Sequence, residues 1–285
     1  MKIIDSIQRM AMFSKILKKE SKTIGFVPTM GYLHDGHLSL IKTAKQHMDM
    51  AVVSIFVNPI QFSPKEDLDK YPRDLKRDEE MARLAGADVL FHPSADEMYP
   101  KGYSTYVNVE GLTNTLCGAS RPGHFKGVAT VVTKLFGIVK PDIAYFGQKD
   151  AQQAAVIKKM AEDLNMDVEI KVLQTIREKD GLAMSSRNIY LSPAERKDAL
   201  CLNRALSKAE EVVRSGERDA RKIVKMMEDI VKEKPTARID YIEAVDAKTM
   251  EPVSAISGET LIALAVFIGK TRLIDNTILK PEGRA

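Results

Sequence analysis

The sequence predicts an α/β protein in which a doubly wound parallel sheet is followed by a smaller α+β domain. Up to about residue 176, short apolar runs alternate with segments of helical spacing. Strands that alternate with helices in this way are typical of βαβ units and a parallel sheet. After that point two helical segments come first and three strand-like runs follow them. This change of order predicts domains at 1–176 and 177–285.

The strands predicted for the first domain are short runs rich in apolar and β-branched residues. One of them, at 51–57, is apolar on both faces, as expected of a strand that helices cover on each side of a parallel sheet. The predicted strands are 23–28, 51–57, 88–91, 142–146 and 167–173.

Helices are predicted between these strands from apolar residues repeated at three- and four-residue spacing. One helix ends at Gly86 and another at Lys140-Pro141, because glycine and proline terminate helices. The predicted helices are 37–48, 74–85, 124–139 and 150–165.

The second domain opens with a clear helix start. Ser192, Pro193 and Glu195 have the pattern of a capping box with proline at the first helical position, and they predict a helix to about residue 215. Gly269-Lys270 predicts a hairpin turn. The remaining predicted elements are a helix at 218–233 and strands at 239–246, 261–269 and 271–279.

Composition and charge are those of a globular cytoplasmic protein. The 285 residues are 44% hydrophobic and 29% charged, and 43 basic side chains against 39 acidic ones leave a net charge of +4. No basic block indicates a nucleic-acid partner. The apolar run at 261–267 is too short to span a bilayer, and no signal-peptide pattern is present. Cys117 and Cys201 are too few for a disulfide framework.

The segment 28–41, PTMGYLHDGHLSLI, carries the strongest chemical signal. A strand, a glycine-containing loop and a helix follow one another, which places backbone N–H groups and the positive end of a helix at the carboxyl edge of the sheet. His34 and His37 can share one side of a helical turn and donate to phosphate oxygens. Gly36 lets a nucleotide lie close to the backbone. The alternative is two unrelated histidines near a helix cap.

Amide side chains follow the next predicted strand. Asn58 and Gln61 come directly after 51–57, at the edge where α/β folds bind ligands. Their amides both donate and accept, which suits a substrate with hydroxyl and carboxylate groups. Turn formation is the alternative, since Asn-Pro is a strong turn initiator.

A third junction of strand, loop and helix is FGQKDAQQ at 146–153. Lys149 is a candidate for a phosphate contact, and Asp150 is a candidate for holding a ribose hydroxyl or a metal-bound water. The alternative is that Asp150 and Gln153 form a capping box.

Two further segments carry basic side chains. In GLAMSSRN at 181–188, two hydroxyls precede Arg187, and such a fork of donors can wrap a triphosphate; a solvated loop is the commoner role of this pattern. In SRPGHFKG, Arg121, His124 and Lys126 either hold an anion or cap the helix that follows.

No Cys-His pair, G-x-S-x-G or H-E-x-x-H motif is present, which argues against the familiar hydrolases.

Taken in order, these segments resemble the pantoate–β-alanine ligase (pantothenate synthetase) family. The similarity also includes YPRD at 71–74 and REKDGLAMSSRN at 177–188, and it runs over most of 23–191. H-x-G-H alone is shared with other nucleotidyltransferases and with class I aminoacyl-tRNA synthetases, whereas the ordered set of segments is far more specific.

The resemblance implies a Rossmann-like first domain and an ATP-dependent ligase that works in two steps. Pantoate carboxylate attacks the α-phosphate of ATP to give pantoyl adenylate and pyrophosphate, and β-alanine then displaces AMP to give pantothenate. It also implies Mg²⁺ carried by ATP, no tightly bound prosthetic group and a homodimer. The second domain is expected to close as a lid over the adenylate, which water would otherwise hydrolyse.

Site residues follow from the resemblance position by position. His37 is implied as catalytic, and His34, Lys149 and Arg187 are expected to help it neutralise charge at phosphorus. The resemblance implies no side chain as a direct metal ligand, because ATP carries the Mg²⁺. Asp150 is the one candidate for a direct contact with that metal. Three amides are implied for pantoate and β-alanine: Gln61, Gln153 and Asn58. The implied ATP contacts are Met30, Gly31, His34, Gly36, His37, Gly147, Gln148, Lys149, Asp150, Ile176, Met184, Ser185, Ser186 and Arg187.

One position departs from the family pattern. The frequent Gly-Glu-Lys-Asp of the family reads Gly-Gln-Lys-Asp at 147–150. Gln148 lacks a carboxylate, which removes the basis for a metal-binding role of that side chain. Activity is expected to persist because Lys149 and Asp150 remain.

Two other functions stay open from the sequence. A nucleotidyltransferase of the same superfamily, acting on another small metabolite, would release pyrophosphate without needing β-alanine or releasing AMP. In a nucleotide-binding regulator, replacing His37 would weaken nucleotide binding. It would abolish no turnover, because such a protein catalyses no reaction. An RNA-charging enzyme is disfavoured, because no anticodon-binding extension is evident and the basic excess is modest.

Overall fold

This computed structural model describes residues 1–64 and 66–280, and the chain forms two compact units. The first unit comprises 1–109, 121–148 and 153–176, and the second comprises 110–120, 149–152 and the chain from 177 onward. The short segments 110–120 and 149–152 therefore pack with the second unit, although they precede residue 176 in the chain. A single boundary at 176 does not describe this arrangement. Residues 281–285 of the predicted second domain lie outside the described residues.

Strands and helices alternate through the first unit and are grouped into blocks in the second. Strands β1 to β9 are Lys2–Ile4, Ile24–Thr29, Met50–Ile55, Val89–Phe91, Ile143–Gly147, Glu169–Leu173, Ala237–Asp246, Thr260–Ile268 and Thr271–Leu279. Helices α1 to α10 are Ile7–Lys19, Asp35–His47, Leu75–Leu84, Ala95–Met98, Leu116–Ser120, His124–Val139, Ala151–Asp163, Pro193–Ala199, Cys201–Arg214 and Ala220–Lys232.

The first unit contains a parallel sheet with the strand order β1-β4-β3-β2-β5-β6. Strand β2 runs parallel to both of its neighbours, β3 and β5. From β2 the chain adds β3 and β4 on one side, and later β5 and β6 on the other, so the strand order reverses between β2 and β5. Ligands of open α/β sheets bind outside the carboxyl ends of the strands at such a reversal.

The central strands of this sheet are buried on both faces. Strand β3 is buried from Ala51 to Ile55, and Val27 of β2 and Leu90 of β4 are fully buried beside it. Helix α2 packs against them through Ile41 and Ala44. This apolar core fixes the ends of β2 and β3, from which the loops of the candidate site begin.

In the second unit, two helices cover one antiparallel sheet of β7, β8 and β9. The turn between β8 and β9 falls at Gly269-Lys270, as predicted, and Gly269 has a φ of +56°. Helices α9 and α10 share one core with the sheet, which includes Leu202, Leu206, Ile223, Met227, Leu264 and Val266.

The predicted fold class is confirmed, with local differences. The sequence patterns predicted no element at α4 or α5. Residues 2–19 form β1 and α1, where the sequence patterns predicted no element. The helix predicted from Ser192 is divided at Leu200, whose N–H bonds to the carbonyl of Lys197 at 3.3 Å. A bond to the third preceding residue is tighter than the α-helical pattern, so the helix is interrupted there.

Candidate active site

The loop that follows β2 begins with a turn that requires glycine. Gly31 has a φ of +86°, in the left-handed region. A Cβ there would lie 3.0 Å from Asp78 Oδ2 and from Ile55 Cγ2. Thr29 Oγ1 accepts from the Gly31 N–H at 3.1 Å and donates to the Ser54 carbonyl at 2.8 Å. The turn therefore joins the ends of β2 and β3 and fixes where the loop starts.

Asp78, in α3, holds the middle of this loop. Its side chain is buried, and its two oxygens accept from the N–H groups of Tyr32 and Leu33, both at 2.7 Å. Arg77 donates to the Leu33 carbonyl at 2.8 Å, and its guanidinium lies 4.7 Å from the centre of the Tyr32 ring. Burial raises the pKa of Asp78, although the two backbone donors and the Arg77 charge oppose that shift.

His34 and His37 stack at the N-terminus of α2. His34 Nδ1 accepts from the Gly36 N–H at 3.2 Å, and His37 Nδ1 accepts from the His34 N–H at 3.4 Å. The ring centroids are 4.0 Å apart. A ring nitrogen that accepts a hydrogen bond is unprotonated, so each neutral ring carries its proton on Nε2. Two Nε2–H donors beside the positive end of a helix are suited to an anion.

The two predicted amides lie together after β3. Gln61 is 8% exposed, and its Nε2 donates to Met30 Sδ at 3.2 Å. Since Met30 belongs to the loop after β2, this contact joins Gln61 to the segment that leads to the histidines. Asn58 is 1% exposed and donates from Nδ2 to Gln61 Oε1 at 2.9 Å. The turn expected as the alternative is also present, as the 3₁₀ turn Pro59–Gln61.

Arg121 and His124 make their contacts with protein groups. Arg121 forks onto the Glu66 carboxylate at 2.6 and 2.9 Å, and its NH1 lies 3.0 Å from His124 Nε2. His124 Nδ1 lies 2.9 Å from the Gln61 carbonyl oxygen, to which it donates. The Lys126 ammonium lies 4.6 Å from the centre of a tyrosine ring. These contacts favour the structural alternative for this segment, which braces the turn that carries Gln61.

The third junction begins at the end of β5, beside β2. Gly147 is the last residue of β5, and Gln148 follows it directly, so the chain leaves the sheet at the edge where the loop after β2 begins. Gln153 is half-buried in α7. Ile176 ends the first unit and is 36% exposed.

Apart from Ile176, the predicted ATP residues after Gln148, which are Lys149, Asp150 and those at 184–187, belong to the second unit. Lys149 Nζ lies 3.6 Å from Asp150 Oδ2, and the Lys149 carbonyl accepts from a buried asparagine at 2.8 Å. Ser185 Oγ accepts from the Arg187 N–H at 3.2 Å and so caps a 3₁₀ turn. The contact of these side chains, and of Met184 and Ser186, with ATP stays a prediction.

Metal-ligand clusters and membrane-spanning helices are not found among residues 1–64 and 66–280. In those ranges no three His, Cys, Asp or Glu side chains are grouped so that they could hold a metal ion. No helix there combines the length and apolar character needed to cross a membrane. Cys117 and Cys201 are both buried, and neither forms a disulfide.

The first unit has the properties of a nucleotide-binding α/β enzyme. Its parallel sheet reverses strand order beside β2, and a glycine turn and a helix N-terminus follow that strand. The histidine pair at this N-terminus can bind a phosphate chain, and the Gln61 amide beside Met30 can bind a second, oxygen-bearing substrate.

Comparison with known proteins identifies the family. Residues 2–278 match the pantoate-beta-alanine ligase family, and the chain belongs to it. A pantothenate synthetase of Pelotomaculum thermopropionicum is 58% identical over 279 residues, which are 98% of this chain and 99% of that protein. The crystal structure of a pantothenate synthetase from Thermus thermophilus has a TM-score of 0.93 and 44% identity, covering 99% of this chain and 100% of that one.

A third relative has been crystallised with ligands. The pantoate-beta-alanine ligase of Francisella tularensis, complexed with β-γ ATP and β-alanine, has a TM-score of 0.82 and 36% identity, and covers 99% of this chain and 100% of that one. These findings confirm the resemblance noted in the sequence, the fold class and the assignment as a ligase. The roles of individual site residues stay predictions.

The sequence patterns did not reveal Asp78, Tyr99 or Gly127, which hold the site's loops from distant elements.

Proposed function

We propose that this chain catalyses the ATP-dependent condensation of (R)-pantoate with β-alanine to pantothenate, AMP and pyrophosphate. The contact between Gln61 and Met30 carries the proposal. It joins an amide suited to an acid with carboxylate and hydroxyl groups to the loop that ends in the histidine pair. Phosphate donors and acid-binding donors are thereby held within one unit of the chain.

In the first step, a carboxylate oxygen of pantoate attacks the α-phosphorus of ATP, and the bond to the β-phosphate breaks to release pyrophosphate. Negative charge grows on the oxygens at phosphorus in the transition state. The Nε2–H groups of His34 and His37 and the N-terminus of α2 supply the donors for that charge. The product is an adenylate, whose AMP is a far better leaving group than oxide.

In the second step, the amino group of β-alanine gives a proton to water and attacks the carbonyl carbon of the adenylate. The carbon–oxygen bond to AMP breaks, and the nitrogen loses a second proton as the amide forms. No protein nucleophile is required, so the protein contributes orientation and electrostatic stabilisation. Gln61 and Gln153 hold the acid in this scheme.

ATP enters as its magnesium complex, with Mg²⁺ on the triphosphate. Lys149 and Arg187 are the cations that we expect to meet the phosphates, and Asp150 is a carboxylate 3.6 Å from Lys149 Nζ. The order of these residues in the sequence supports the assignment, as does the β-γ ATP bound to the Francisella tularensis relative.

Pyrophosphate–ATP exchange with pantoate present and β-alanine omitted tests the first step. We expect exchange only with pantoate, and AMP release only after β-alanine is added. His37→Ala should lower the exchange rate about 100- to 1000-fold, as for other lost transition-state donors. The matched control is His47→Ala at the exposed far end of the same helix, which should stay within twofold. No exchange despite ATP binding would refute the ligase.

A cytoplasmic homodimer completes the proposal. The family resemblance supports the homodimer, and the globular composition supports the cytoplasmic location. Light scattering coupled to size exclusion should give twice the chain mass, and a chain mass at micromolar concentration would contradict the dimer.

A further inference from the structure

Asn58 makes a complete set of hydrogen bonds inside the protein. Its Nδ2 donates to Gln61 Oε1 at 2.9 Å and to the Gly127 carbonyl at 3.1 Å, and its Oδ1 accepts from the Tyr99 hydroxyl at 2.7 Å. With 1% of the residue exposed, both N–H groups and the oxygen are committed to protein partners. This geometry favours an indirect role for Asn58 in place of the substrate contact that the sequence predicts.

The polarity of these bonds is set by Gly127. A backbone carbonyl only accepts, so Asn58 Nδ2 must face it, Asn58 Oδ1 must face Tyr99, and the tyrosine hydroxyl must donate. Because Asn58 then offers only N–H to Gln61, the Gln61 atom beside it must be the oxygen. Gln61 Nε2 is therefore the end of the amide that faces Met30 and the loop after β2.

The Tyr99 ring is held in place on several sides. Its centroid lies 6.1 Å from that of Phe56 and 5.0 Å from that of Tyr103, and the Lys134 ammonium is 5.8 Å away. Burial raises the pKa of Tyr99, and the neighbouring tyrosines add to that shift. The hydroxyl therefore keeps its proton at every pH at which the enzyme would be assayed.

We propose that Tyr99 is a positioning residue for the acid substrate, which acts through Asn58 to turn the Gln61 amide so that Nε2–H is presented to a substrate oxygen. The inference rests on the proposed function, in which Gln61 binds pantoate. It adds a residue outside the binding loops. It also determines that Gln61 acts as the hydrogen-bond donor to the substrate. The substrate group at Gln61 must be an acceptor, such as a carboxylate or hydroxyl oxygen.

Tyr99→Phe removes the hydroxyl and keeps the ring. We expect the KM for pantoate in pyrophosphate exchange to rise about 5- to 20-fold, as for the loss of one hydrogen bond, while the KM for ATP stays within twofold. Tyr103→Phe makes the same change in the adjacent ring and should leave both constants within twofold. A general loss of structure would move both constants together and lower the urea midpoint of unfolding.

We call the action of Tyr99 on Gln61 through Asn58 the relay. A double-mutant cycle with Gln61→Glu separates this relay from a local packing effect. Glutamate keeps an oxygen for Asn58 and has no Nε2–H, so Tyr99→Phe should then change kcat/KM for pantoate by less than twofold. That ratio stays measurable when the substrate cannot saturate. An equal effect in both backgrounds, or an unchanged KM in Tyr99→Phe, would overturn the relay alone. A wild-type chain without pantoate-dependent exchange would overturn the proposed function and the relay with it.

Discussion

Helix α6 approaches the turn that carries Gln61 so closely that one methyl group should disrupt the site. A Cβ at Gly127 would lie 2.6 Å from Gln61 Cα and 2.6 Å from the Ile60 carbonyl oxygen. Ordinary contacts between heavy atoms begin at about 3.5 Å, so the helix or the turn would have to move by roughly 0.9 Å. Gly127→Ala should therefore break the bond from Asn58 Nδ2 to the Gly127 carbonyl, which is 3.1 Å long.

The size of the effect follows from three contributions. Overpacking costs about 1–3 kcal/mol, and a buried donor left without its partner costs about 1–3 kcal/mol. Alanine in place of glycine inside a helix returns about 1 kcal/mol. The expected net loss is about 3 kcal/mol in the free energy of unfolding, with a fall in kcat/KM for pantoate because Gln61 moves with the turn.

Gly137→Ala is the matched control on the same helix. Apart from its chain neighbours and the backbone of its own helix, no heavy atom lies within 4 Å of a Cβ built at Gly137. This change should therefore stabilise the chain by about 0.5–1 kcal/mol. Urea unfolding followed by circular dichroism at 222 nm measures both variants. If Gly127→Ala were as stable as Gly137→Ala, the close approach would not constrain the site and the argument from backbone contact would be wrong.

Three further predictions concern buried or half-buried titratable groups. Asp78→Asn should destabilise the chain by about 1–3 kcal/mol in urea unfolding, because an amide can accept from only one of the two loop N–H groups with a single oxygen. Burial acts to raise the pKa of Glu66, but the Arg121 bonds and charge outweigh it and hold that pKa below its usual value. The stability that this pair contributes should therefore be complete above about pH 4.3, the pKa of an unfolded glutamate. It should be lost as the pH falls through the lower pKa of Glu66 in the native chain. Urea midpoints measured from about pH 7 to about pH 3 should show this loss in the unmodified chain and not in Glu66→Gln. Burial raises the pKa of Cys201 to about 11, so iodoacetamide at pH 8 should modify this thiol only after unfolding, and rapid labelling of the native chain would contradict its burial.

Much of the fold was predictable because it is written in short-range patterns. The alternation of apolar runs and helical spacing identified the strands β2 to β6 and, between them, the helices α2, α3, α6 and α7. The same logic could have found α1, since Met10, Ser14 and Leu17 recur on its buried face. There the many charged residues on the exposed face obscured the pattern.

The candidate site was predictable where its contacts are local. His34 and His37 are bonded to backbone groups within three residues, so the motif and the helix cap are one feature. Asp78 lies 45 and 46 residues from the N–H groups that it holds. Among four acidic residues between positions 74 and 80, no local pattern distinguishes the one that faces inward. Only the pairing of β2 with β3 brings α3 to that loop.

The strand order explains why binding groups from distant segments converge. Strand β2 lies between β3 and β5, so the histidine loop and the amide turn leave adjacent strands at the same edge. The contact between Gln61 and Met30 is then a consequence of topology. A reaction that requires an acid and a nucleotide phosphate to meet gains its orientation from that adjacency. Residues that hold the two loops, such as Asp78 and Tyr99, should therefore affect the reaction without touching either substrate.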